Sequence, residues 1–161
     1  MKRLMFSAVF LMIALPVFAQ GPKGFVGDWK SDPGTPTMTR KLEIDGNVIL
    51  MTELQPGRNG GPELTIIRKY PTDGSTVSVD TGMWAGAKAT GKVEGNVLTC
   101  DTTMANGMKF HDVWTLDADG KHYTNDMEIS GGPARGGRGG GGQGGSSGAP
   151  RTVKFSFTKT D

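Results

Sequence analysis

Three charged residues stand where strand alternation calls for apolar ones: Arg40 between Met38 and Leu42, Arg68 between Ile66 and Tyr70, and Asp112 between Phe110 and Trp114. Residues two apart in a strand share a face, so each ion falls on an apolar row. An ion there is costly to bury unless it is paired, hydrogen-bonded or hydrated. Two guanidinium groups and a carboxylate on inner rows could orient the polar end of a ligand. They could also pair with one another in a filled core, or a bulge could turn them outward. Arg40, Arg68, Tyr70, Asp112 and Trp114 are therefore the candidate ligand-binding residues.

The residue types that carry catalysis do not assemble. Gly144-Gly145-Ser146-Ser147-Gly148 fits G-x-S-x-G but lies in a glycine-rich stretch rather than between a strand and a helix. Gly86 to Lys92 fits the spacing of a phosphate loop, yet Val93 stands where a magnesium-holding hydroxyl is needed. Asp117-Ala118-Asp119-Gly120 has Lys121 at a calcium-ligand position and reads as a hairpin turn. His111 and His122 are not at metal-ligand spacing, and Asp101 beside Cys100 disfavours a thiolate. The expectation is a binding protein without catalysis, cofactor or metal.

The elements that position these residues are short. Glycine and proline make up 35 of 161 residues, far above ordinary usage, and both break helix interiors. Turn chemistry recurs at Asp32-Pro33-Gly34, Asp45-Gly46-Asn47, Asp73-Gly74, Glu94-Gly95-Asn96, Asn106-Gly107 and Asp119-Gly120. Between these marks, segments rich in Val, Ile, Thr and aromatic residues predict strands near 25–31, 37–45, 48–54, 63–70, 75–81, 85–93, 96–104, 108–117, 121–130 and 151–159. Tight turns make consecutive strands antiparallel neighbours. The expected fold is thus all-β, an antiparallel up-and-down meander closing into a barrel of eight to ten strands, since closure removes exposed edges. Ala87, Ala89 and Gly91 share one face, which predicts a wall of small side chains and space for one small ligand.

Residues 131–150 hold eleven of the 26 glycines and interrupt this spacing. They read as a flexible loop, and Arg135-Gly136-Gly137-Arg138-Gly139-Gly140 has the look of an RNA-binding segment without its repetition. At the N-terminus, Lys2-Arg3, the apolar run Leu4 to Val17 and Ala19 predict a signal peptide over 1–19 and a mature start at Gln20. The run is shorter than a membrane span requires. Without residues 1–19 the chain has 142 residues with 16 cationic and 16 acidic side chains. That balance argues against nucleic acid or an anionic membrane as partner. One cysteine, Cys100, allows no internal disulfide. A periplasmic or secreted carrier of a small hydrophobic or amphipathic molecule is expected. An interaction module with a filled barrel is the alternative.

Gly27-Asp28-Trp29 resembles the Gly-x-Trp signature of the first strand in the lipocalin and fatty-acid-binding group, the calycins. The resemblance covers residues 24–161 as architecture and implies a meander barrel that binds small, mostly apolar molecules. It gives Gly27 and Trp29 structural roles, with Trp29 closing one barrel end under a basic residue of the last strand, Arg151 or Lys154. It also implies a carboxylate-binding Arg-x-Tyr pair, which occurs here as Arg68-Lys69-Tyr70 in a middle strand. The look is that of a small exported bacterial lipocalin-like protein.

Overall fold

The computed structural model describes residues 21–57, 60–80, 82–132 and 149–160. The predicted signal peptide and residues 133–148 of the glycine-rich stretch lie outside the described residues. Ten strands follow one another: β1 (Gly27–Ser31), β2 (Thr39–Asp45), β3 (Val48–Gln55), β4 (Leu64–Pro71), β5 (Asp73–Ser78), β6 (Lys88–Glu94), β7 (Val97–Thr103), β8 (Met108–Leu116), β9 (His122–Gly131) and β10 (Arg151–Thr160). They form one antiparallel sheet in the order β4-β3-β2-β1-β10-β9-β8-β7-β6-β5. This is the expected meander, curled so that β1 pairs with β10, with Trp29 opposite Lys159.

The barrel is nearly closed, because β4 and β5 are the two edges of the sheet. Their shared end is drawn together where Val93 N donates to the Thr72 carbonyl at 2.9 Å. Higher up, Lys69 Nζ donates across the seam to the Ser78 carbonyl and to Asp80, each at 3.1 Å. A glycine at 91 permits the close approach of β4, since a Cβ there would lie 2.8 Å from the Pro71 carbonyl oxygen.

Two short stretches depart from the expected strands. Pro22–Phe25 is a 3₁₀ turn that leads into β1, consistent with the φ that proline fixes at a first turn. Gly82–Trp84 is a second one, and Gly82 and Gly86 at φ 68° and 80° hold the chain off the sheet until Lys88. No helix among the described residues is long and apolar enough to cross a membrane.

The meander gives the barrel two unlike ends. One carries the connections after β2, β4, β6 and β8; here Phe25, Trp29, Leu42, Ile49, Tyr70, Leu98, Trp114, Leu116, Tyr123 and Phe157 form a buried core. Rings touch throughout it, with Tyr123 stacked on Phe157 at 4.8 Å and on Trp114 at 5.3 Å. The other end carries the connections after β1, β3, β5, β7 and β9. There the inward residues Ile66, Met104, Met108, Met127, Ile129, Val153 and Phe155 are only partly buried.

A candidate binding mouth above a buried ion network

All five residues singled out in the sequence point into the barrel, and all are buried: Arg40 is 4% exposed, Arg68 5%, and Tyr70, Asp112 and Trp114 0%. Strand register explains the parity. Arg40 on β2 sits opposite Trp29 and Glu53, and Asp112 on β8 sits opposite Cys100 and Met127. No bulge disturbs β2, β4 or β8; among the described residues the register shifts between Asp73 and Thr76.

The charges pair with one another. Arg40 Nε donates to Glu53 Oε2 at 2.6 Å, and its Nη1 donates to Tyr123 Oη and Asn125 Oδ1 at 3.1 Å each. Asn125 Nδ2 donates onward to Asp112 Oδ1 at 3.1 Å. Asp112 Oδ2 takes Nη2 of Arg68. Glu53, Arg40, Asn125, Asp112 and Arg68 thus form one chain across the barrel, with Asn125 as its neutral bridge and Tyr123 attached at Arg40. Rings cover the cations: Arg40 lies 4.1 Å from the Phe157 centroid, and Arg68 lies 4.3 Å from Trp84 and 4.8 Å from Tyr70. Burial alone would lower both guanidinium pKa values, but for Arg40 the phenol of Tyr123 and the Glu53 carboxylate outweigh it, and for Arg68 the Asp112 carboxylate does. Both values stand above normal, so the interior holds two fixed cations.

Of the arrangements the sequence left open for these ions, the structure has the one in which they pair with one another, each arginine matched by a carboxylate. One correction concerns the small wall. Ala87 and Ala89 are at most 1% exposed, so no water-sized space adjoins them. The room they leave is taken by large rings instead, as Ala87 clusters with Trp84, Phe110 and Val79. The inner apolar residues that stay partly exposed are those at the other end, among them Ile66, Met104, Met108, Met127 and Ile129.

A second correction concerns the cover over Trp29. Arg151 and Lys154 are exposed near the start of β10, on the mouth side. Lys159, near its far end, places its ammonium 5.3 Å from the Trp29 centroid. Trp29 itself donates from its indole to the Phe25 carbonyl at 2.8 Å and seals the closed end with Tyr123 across a 4.7 Å edge contact.

Sequence reading missed Glu53, Tyr123 and Asn125, the partners of the network. The alternation that exposed Arg40 applies to them too, since Ile49-Met51-Glu53 and Tyr123-Asn125-Met127 are inner rows. Among the described residues, three polar atoms of buried rings have no hydrogen-bond partner: Tyr70 Oη, Trp84 Nε1 and Trp114 Nε1. Burial pushes the Tyr70 phenol well above its usual range. Among the described residues, no group of three His, Cys, Asp or Glu side chains is placed to hold a metal ion.

The sequence matches no family profile and no curated protein. Its fold has clear relatives among solved structures. A secretary abundant heat soluble (SAHS) protein of Ramazzottius varieornatus superposes with a TM-score of 0.54 at 11% identity, over 85% of this chain and 96% of that one. The fluorescent protein UnaG superposes with a TM-score of 0.52 at 14% identity, over 86% of this chain and 98% of that one. At such identities the likeness is one of fold, and the fold is a nearly closed lipocalin-like barrel of ten antiparallel strands.

Proposed function

We propose that this protein binds a small apolar or amphipathic molecule in the mouth of its barrel, without chemistry on it. One observation carries the reading: the inner rows turn from buried to partly exposed while remaining apolar, at Ile66, Met104, Met108, Met127, Ile129 and Phe155. Concave apolar surface over a few fixed polar groups is the usual make-up of a small-molecule site. Thioether side chains, flexible and polarizable, suit a surface that adapts to its guest. The filled lower half limits the ligand to the upper half and favours, as the second reading, a scaffold that binds other proteins through its surface.

Titrating apolar and amphipathic compounds while following tryptophan emission separates the two, because Trp84 packs among the mouth residues. Saturable changes that Ile129→Arg abolishes, with an unchanged melting curve, support a ligand site. Failure of every compound favours the scaffold.

Export belongs to the same proposal. It is supported by Lys2-Arg3, the apolar run and Ala19. The test is the intact mass of protein recovered from the cell envelope or medium, with a mature N-terminus at Gln20 expected. Full-length protein recovered from the cytosol would overturn it.

A further inference from the structure

The three partnerless ring donors differ in place. Tyr70 and Trp114 are wholly enclosed, whereas Trp84 is 7% exposed and clusters with Phe110, Met104, Met108, Met127 and Ile129 at the floor of the mouth. Its indole N–H has no acceptor. The Arg68 guanidinium stacks on the same ring at 4.3 Å. Its Nη2 serves Asp112, while its Nη1 reaches only the Met127 sulfur at 3.9 Å, a weak acceptor. The nearby carboxylates are taken: Asp112 receives Arg68 and Asn125, and Glu53 receives Arg40 and Gln55. Two donors of stacked residues thus lie buried beneath the mouth residues with no oxygen to receive them. A buried donor left this way costs free energy that any arriving acceptor would recover.

Resting on the carrier reading above, we propose that Trp84 Nε1 and Arg68 Nη1 form the polar anchor of the mouth, and that its ligand is an uncharged apolar molecule carrying an acceptor oxygen of the carbonyl type. The charge state follows from the network. Arg40 and Arg68 face Glu53 and Asp112, so the four interior ions cancel. A ligand carboxylate would be a fifth, unmatched charge in a site that has lost its water. A carbonyl oxygen brings lone pairs alone. Met127, partly exposed and flexible, is the side chain that yields to let the oxygen reach Nη1, while Met104 and Met108 line the path of the apolar tail.

The experiment uses the uncharged dye Nile red as a reporter of the mouth, displaced at neutral pH by an alkane, the methyl ketone and the carboxylic acid of one chain length. The ketone is expected to compete best. Trp84→Phe keeps a ring and removes the N–H, and should weaken the ketone about tenfold while leaving the alkane unchanged. Met127→Leu, which frees Nη1 from sulfur, should widen the preference for ketone over alkane. Melting curves of both variants verify folding. An acid that outcompetes the ketone, or a ketone advantage untouched by both variants, overturns the anchor while leaving the carrier reading in place. Absence of Nile red binding, or of displacement by every competitor, overturns the carrier reading and this inference with it.

Discussion

Lys159 crosses directly over Gly27: a Cβ on residue 27 would lie 2.6 Å from Lys159 Cε, and the ammonium beyond it sits 5.3 Å from the Trp29 centroid. Glycine suits that crossing, and it is required there by a φ of 136° that other residues avoid. The lysine end can swing aside, so the backbone decides. Gly27→Ala is expected to cost about 1–3 kcal/mol through that strain. Lys159→Met, which keeps the stem over Trp29 and removes the charge, should cost only about 0.5–1 kcal/mol. Urea denaturation of the two variants checks the order.

Turn chemistry made the fold legible. Gly46, Gly95, Gly107 and Gly120 all adopt positive φ at hairpins, Gly74 does so where β4 and β5 part as the sheet's two edges instead of pairing as expected, and the ten strands lie within a few residues of their expected bounds. Parity placed Arg40, Arg68 and Asp112 inside the barrel because period two survives small errors in strand ends. What parity cannot carry is which inner residue meets which across the barrel, because Arg40 and Asn125 are 85 positions apart in the chain. Volume was equally hidden. Ala87 suggests a void only until Trp84, placed by a 3₁₀ turn rather than a strand, is folded against it, and Ala89 packs in the other cluster beside the rings of the closed end.

Tyr70 lies tilted against Trp114 at 4.5 Å while its hydroxyl has no partner. Removing a buried polar group that forms no bond relieves its desolvation and leaves the ring contacts in place. Tyr70→Phe is therefore expected to raise stability by about 1 kcal/mol, seen as a higher melting temperature. A loss of stability would show that the hydroxyl has a role in the folded state.

Cys100 is buried, and that burial pushes its thiol up to about 12. It should resist alkylation in the native protein at pH 8 and react fully in denaturant. The same shift sets an alkaline limit. In the unfolded chain the thiol ionises near about 8.5, so above that pH the unfolded state holds fewer protons than the folded one and stability falls. Tyr123, also raised by burial to about 12, adds to the fall above about pH 10. The urea midpoint should therefore decline from pH 8.5 upward, with a shallower first stage in Cys100→Ala.

The Arg68 and Asp112 pair offers the sharpest separation between a group's own worth and the cost of stranding its partner. Asp112→Asn leaves a buried guanidinium with the Met127 sulfur and aromatic faces as its remaining contacts, an arrangement expected to cost about 3–5 kcal/mol. Joining it with Arg68→Met removes both charges together. The amide at 112 can still accept from Asn125, and an unbranched apolar side chain can fill the space between Tyr70 and Trp84. The double variant should therefore regain most of the lost stability, giving a strong positive coupling in a double-mutant cycle. Urea midpoints of the wild type, both single variants and the double variant measure it. A double variant no more stable than Asp112→Asn would mean that the ion pair itself, rather than mere charge balance, holds β4 against β8.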